Sequence, residues 1–139
     1  MTINEIQDEI IQEFEVFDDW MDRYALLIEI GKELAEMPSE YKTDQNLISG
    51  CQSNVWFHAE FKEGKIYFTA DSDAVITKGI AALLIRVLSE RTPKEILETD
   101  LYFIKKTGLQ QHLSPTRSNG LLSMIKQLKL YAMAFNALK

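Results

Sequence analysis

Between residues 55 and 70 the chain alternates apolar and polar residues along two successive stretches. Val55, Phe57, Ala59 and Phe61 alternate with Trp56, His58, Glu60 and Lys62. Ile66, Phe68 and Ala70 then alternate with Tyr67 and Thr69. A period of two is a strand with one face on a core, and Lys62-Glu63-Gly64-Lys65 between the two runs reads as a hairpin turn. A lone hairpin cannot shield its apolar face, so another element must cover it. The segment Gly79-Ile80-Ala81-Ala82-Leu83-Leu84-Ile85 is apolar on nearly every side of a helix, which makes it the natural cover. The helix is expected over residues 74–90, with Asp71-Ser72-Asp73 supplying its caps. Gly79 costs about 1 kcal/mol relative to alanine in a helix; its return is expected to be a close backbone approach to the sheet.

Helices flank this unit. Ile6, Ile10, Phe14, Phe17, Met21, Tyr24, Ile28 and Leu34 recur at helical spacing, with Gly31 on the same stripe and Glu, Asp and Gln opposite. That predicts an amphipathic helix, with a candidate break at Asp18-Asp19. Met37-Pro38 ends it, because the residue before proline avoids the helical basin. A polar connector over 41–46 follows, and Leu47 with Ile48 could add a short strand. Thr92-Pro93-Lys94-Glu95 is a capping box opening a short helix. Residues 100–111 are mixed, with Gly108 a candidate end to a helical turn. Ser114-Pro115 starts a last helix through Leu121, Leu122, Ile125, Leu128, Tyr131, Ala132 and Phe135. The expected fold is α+β: a small antiparallel sheet, long N- and C-terminal helices, and a buried central helix packed against the sheet. It forms a single domain over 1–139.

The only cysteine, Cys51, stands in Leu47-Ile48-Ser49-Gly50-Cys51-Gln52-Ser53-Asn54. Free thiols are usually buried and inert, yet these neighbours are turn residues, and turns lie on the surface. Cys51 is therefore a candidate reactive thiol. Other chemistries lack parts. One cysteine and two scattered histidines give no zinc spacing, and one thiolate cannot hold an iron–sulfur cluster. Thr77-Lys78-Gly79 lacks the glycine framework of a phosphate loop. No second thiol exists for dithiol chemistry. His58, seven residues on, would lie more than about 20 Å away along a straight strand; His112 could reach the thiol only through the fold. Single-thiol group transfer survives this elimination, beside the alternative of a stand-alone cysteine-dependent hydrolase or thiol peroxidase. No metal or cofactor is expected.

Charge and compartment are also legible. The formal net charge of -6 opposes nucleic-acid binding, which is dominated by cations on phosphates. No apolar run reaches the twenty or so residues of a membrane span. The acidic start, Met1-Thr2-Ile3-Asn4-Glu5, lacks the basic-then-apolar plan of a signal peptide. With one thiol, the expected home is the reducing cytoplasm. The charge is uneven: no Lys or Arg occurs from Met1 to Asp22, and no acid after Asp100. The plainer reading is two terminal helices whose charges complement one another; the sharper one is a basic C-terminal face for an acidic partner. Arg117 would be the third residue of the last helix, where a cation opposes the helix dipole. Either it pairs with an acid, or it holds an anionic sulfur or a partner's carboxylate.

Gly50-Cys51-Gln52-Ser53-x-Val55-Trp56 resembles the cysteine motif of the SufE family of sulfur acceptors in iron–sulfur cluster assembly. Asp71-Ser72-Asp73-Ala74, Lys78-Gly79, Thr92-Pro93 and Gln111-His112-Leu113-Ser114-Pro115-x-Arg117-Ser118-x-Gly120 resemble its further motifs, in order. Ser114 stands where the family often has Thr. The resemblance implies a fold similar also to IscU-type scaffolds. It implies a pyridoxal-phosphate cysteine desulfurase, SufS-like or CsdA-like, as sulfur donor, and a SufB-type scaffold complex as recipient. It implies a transient persulfide on Cys51 and no resident cofactor, so that the protein activates an enzyme rather than being one. Gly50, Gln52, Ser53, Asp73, His112 and Arg117 become candidate supporting or partner-binding residues.

Overall fold

A computed structural model describes residues 1–51 and 53–138. In chain order the elements are α1 (Ile3–Glu15), α2 (Trp20–Lys32), a 3-10 turn (Ser39–Tyr41), β1 (Val55–Lys62), β2 (Lys65–Ser72) and α3 (Val75–Leu88). The short α4 (Pro93–Glu98), α5 (Phe103–Lys106) and α6 (Leu109–His112) then lead to the long α7 (Pro115–Ala137). The architecture is the expected α+β.

The strands pair antiparallel with Phe57 opposite Ala70 and Phe61 opposite Ile66. Glu63 and Gly64 both have positive φ, 52° and 80°, the two-residue turn whose twist suits a hairpin. Leu47 does add a bridge, to Trp56. Val55, Phe57, Ile66 and Ala70 on the inward face are almost fully buried, each large side chain contributing about 1.5–3 kcal/mol. Helix α7 lies along this face: Phe135 stacks on Phe61 at 5.2 Å between ring centroids, and the Tyr131 hydroxyl donates to the Phe57 carbonyl at 3.3 Å. The first helical region does break, and Asp19 caps α2 by accepting from the Met21 N–H at 2.9 Å. Thr92 with Glu95, and Ser114 before Pro115, cap α4 and α7 as expected.

Four expectations are corrected. Gly79 approaches a helix and not the sheet: a Cβ there would lie 2.2 Å from the Leu27 carbonyl oxygen of α2. Helix α3 starts later and ends earlier than 74–90, and its N-cap, Ala74, has no capping side chain. Strand β2 runs on through Ser72 instead, so Asp71 meets Lys42 and Lys78, at 2.7 Å and 3.3 Å. Among the described residues no ion pair joins α1 to α7; Glu9 and Glu13 of α1 both pair with Arg86 of α3 instead. Gln7, placed by periodicity on the polar face of α1, is fully buried. It donates to the Asp100 carbonyl at 3.0 Å and accepts from the Phe103 N–H at 3.1 Å, so its amide ties α1 to the start of α5.

Candidate functional site

The cysteine turn is a loop with a fixed base. The Ile48 N–H donates to the Val55 carbonyl at 2.8 Å, and the Phe57 N–H to the Asn46 carbonyl at 2.9 Å. Its far end is tied to the end of β2. The Asn54 N–H donates to the Asp73 carboxylate at 3.1 Å, the Asp73 N–H to the Asn54 carbonyl at 3.2 Å, and the Ser72 hydroxyl to that carbonyl at 2.8 Å. Between these anchors the loop rests on α7. Gly50 has φ +87°, and a Cβ there would come within 2.7 Å of the Ser123 Oγ. A Cβ on Gly120 would lie 3.2 Å from the Cys51 Sγ. Glycine at both positions lets the loop and the helix meet.

Cys51 is half-buried rather than exposed. Its thiol donates to the Gly120 carbonyl at 3.7 Å, and burial pushes its pKa up, because low dielectric disfavours the thiolate. Beside it is a cavity of about 180 Å³, whose lining includes Ser53, Thr77, Arg117, Gly120 and Met124. The Ser53 hydroxyl faces that of Thr77 at 3.5 Å. Arg117 sits in the first turn of α7, its N–H donating to the Ser114 Oγ at 3.3 Å. Among the described residues its guanidinium has no acidic partner within ion-pair distance.

Of the sequence candidates, Ser53 and Arg117 line the thiol's cavity, Gly50 seats the loop and Asp73 anchors its end. Gln52 lies outside the described residues. His112 stands apart from the cavity's lining. Its ring stacks on Trp20, 4.0 Å between centroids, and its Nδ1 lies 3.0 Å from the Gly108 carbonyl. His58 stacks on Tyr41 at 3.8 Å, on the outer side of the sheet. Sequence reasoning missed Thr77, Ser123 and Met124. A hydroxyl residue just before the apolar run Ile80–Ile85 was the available signal for Thr77. No group of three or more His, Cys, Asp or Glu could hold a metal among the described residues. No helix there is long and apolar enough to cross a membrane.

A family model described as the Fe-S metabolism associated domain, SufE, matches residues 8–132. The chain belongs to the SufE family. It is 41% identical over 127 residues to an uncharacterized SufE-like protein of Rhizobium meliloti (strain 1021), covering 88% of this chain and 91% of that one. An uncharacterized SufE-like protein of Synechocystis is 40% identical, with 91% of this chain and 79% of that one covered. The chloroplastic/mitochondrial SufE-like protein 1 of Arabidopsis thaliana is 43% identical over 126 residues, 90% of this chain. The chain spans about a third (34%) of that longer protein. A solution structure of a hypothetical protein from Thermus thermophilus superposes with a TM-score of 0.76, at 21% identity, over 93% of this chain and 94% of that one. It shows the shared fold. Membership associates this chain with iron–sulfur metabolism.

Proposed function

We propose that this SufE-family chain is a sulfur carrier that takes one sulfur atom onto Cys51 from a pyridoxal-phosphate cysteine desulfurase, SufS-like or CsdA-like. It stimulates that enzyme by clearing its persulfide, and passes the sulfur to a SufB-type scaffold complex. One observation carries the reading: a solitary thiol, half-buried against Gly120, borders a cavity that Arg117 also lines. The chemistry needs only a nucleophile and room for an added atom. The Cys51 thiolate attacks the outer sulfur of the donor's cysteine persulfide. The donor's S–S bond breaks, its cysteine leaves as a thiolate, and a new S–S bond forms on Cys51. The proton lost from Cys51 balances the one taken up by the departing thiolate. The second transfer repeats this exchange with Cys51 as the leaving thiolate.

At rest burial pushes the thiol's pKa up and so disfavours the thiolate, and only the thiolate attacks. Activation therefore goes with moving the loop out of its seat, where the thiolate regains solvent. Its anchored ends and the latitude of Gly50 suit that motion. Back in the seat, Arg117 supplies positive charge beside an anionic persulfide. A cysteine-dependent hydrolase or peroxidase would want a base beside the thiol, and both histidines lie elsewhere.

The test is mass spectrometry of the protein after mixing with a desulfurase and cysteine. One added sulfur atom on the wild type, and none on Cys51→Ser, is the expected result. No adduct with any desulfurase of the source organism overturns the proposal.

A further inference from the structure

Among the described residues, Arg117 is the only cation after Asp100 that lines the thiol's cavity, and none of these cations forms an ion pair with α1. Several of them surround a second cavity, of about 490 Å³, between α7 and the α4–α6 segment. Its apolar lining includes Leu101, Ile104, Leu122 and Ile125, and its rim carries Lys105, Lys106 and Lys129. None of these lysines has a carboxylate within ion-pair distance among the described residues. Lys106 lies over the Tyr102 ring at 5.6 Å, and Lys129 reaches only the Thr99 carbonyl, at 3.4 Å. Among the described residues, Asp100 is the only acid on the lining. Leu122 is 53% exposed, and Met133, on the same side of α7, is 56% exposed. Leu122, Lys126, Lys129 and Met133 follow helical spacing, so apolar and cationic side chains share one stripe.

We infer that this groove docks an acidic amphipathic segment of a partner protein. An aliphatic or aromatic side chain would fill the cavity, and flanking carboxylates would meet the lysines. Charge decides the occupant. Lysines without acidic partners around an apolar cavity favour an acidic segment, and a second copy has none free to offer, because the apolar face of its own acidic helix α1 is buried in the core. Its placement gives the docking a use. At 100° per residue, Leu122 and Gly120 lie roughly 200° apart around α7. The groove thus faces away from the thiol, and a partner held there leaves Cys51 free to meet its donor. The inference does not depend on what Cys51 accepts.

The experiment uses two synthetic amphipathic helices with the same leucine face, one with glutamate and one with lysine at every polar position. Each is titrated into the isotope-labelled protein. The glutamate peptide is expected to shift amide resonances in 101–106 and 122–129 and to spare those of 49–54, with the lysine peptide silent. Lys105→Glu/Lys106→Glu, two exposed positions, weakens it about ten-fold, as does raised salt; Leu122→Ser weakens it several-fold; Cys51→Ser changes nothing. Equal binding of both peptides, shifts centred on 49–54, or no shift at millimolar peptide overturns the inference. So does an equal response to a short oligothymidylate, which would mark a general polyanion patch, or self-association of the free protein through this face.

Discussion

Two pairs of glycines bring elements of this protein into close contact, and they do opposite work. In the core, Gly31 of α2 meets Gly79 of α3 backbone to backbone: a Cβ on Gly31 would lie 2.8 Å from the Gly79 nitrogen, and one on Gly79 2.2 Å from the Leu27 oxygen. At the thiol, Gly50 and Gly120 meet side-chain atoms, the Ser123 Oγ and the Cys51 Sγ. A backbone seam inside a helix pair can be left only by parting the helices. A loop resting on side chains can lift away while its ends stay bonded. The first contact fixes the frame, and the second is a seat.

The sharpest way to break this comparison is Gly79→Ala. No rotamer relieves a methyl group aimed at a backbone carbonyl, so α2 and α3 must separate. The cost is expected at the upper end of overpacking, about 3 kcal/mol, read as a lowered midpoint in chemical denaturation. A loss under about 1 kcal/mol would show that the seam yields as readily as the seat. Gly120→Ala presses a methyl group toward the thiol, which can give way. Stability should change by less than about 1 kcal/mol, while alkylation of Cys51 by iodoacetamide speeds up several-fold as the loop shifts outward. A large stability loss with unchanged alkylation would make the seat as rigid as the seam.

The smallest effect is a pH dependence. Burial raises the folded-state pKa of Cys51 above its unfolded value. The stabilisation from a buried neutral thiol is therefore complete below the unfolded pKa and is lost as pH rises through the folded one. Wild type should lose slightly more stability than Cys51→Ser across that alkaline window, and its alkylation should titrate above the ordinary thiol range. Superimposable stability profiles would remove the claim that the seat desolvates the thiol.

Local chemistry in the sequence carried much of this. Ser114-Pro115, the Thr92–Glu95 box and Lys62-Glu63-Gly64-Lys65 each satisfy a backbone need within four residues, so their elements stand where spacing put them. Cys51 was legible as the reactive candidate because it is alone and sits among turn residues. What the residues could not show was what comes to meet them. Gly79 signals a close approach without naming the surface, and it meets Leu27, more than fifty positions earlier. Asp71-Ser72-Asp73 looks like a cap, yet the strand carries on to Ser72 and the carboxylates serve Lys42, Lys78 and the Asn54 amide. His112 carries ligand-type chemistry in sequence and spends its ring on Trp20. The thiol of this turn is half-buried because α7, starting more than sixty residues later, supplies a wall that the residues around Cys51 could not show.

The central claim is that Cys51 is seated against α7 at rest and leaves that seat when a sulfur donor docks. The rate of Cys51 alkylation by a small reagent tests it most directly. It is measured on the free protein and on its complex with a desulfurase whose own catalytic cysteine has been replaced. Slow labelling alone and faster labelling in the complex are the expected result; an unchanged or slower rate on docking contradicts the claim.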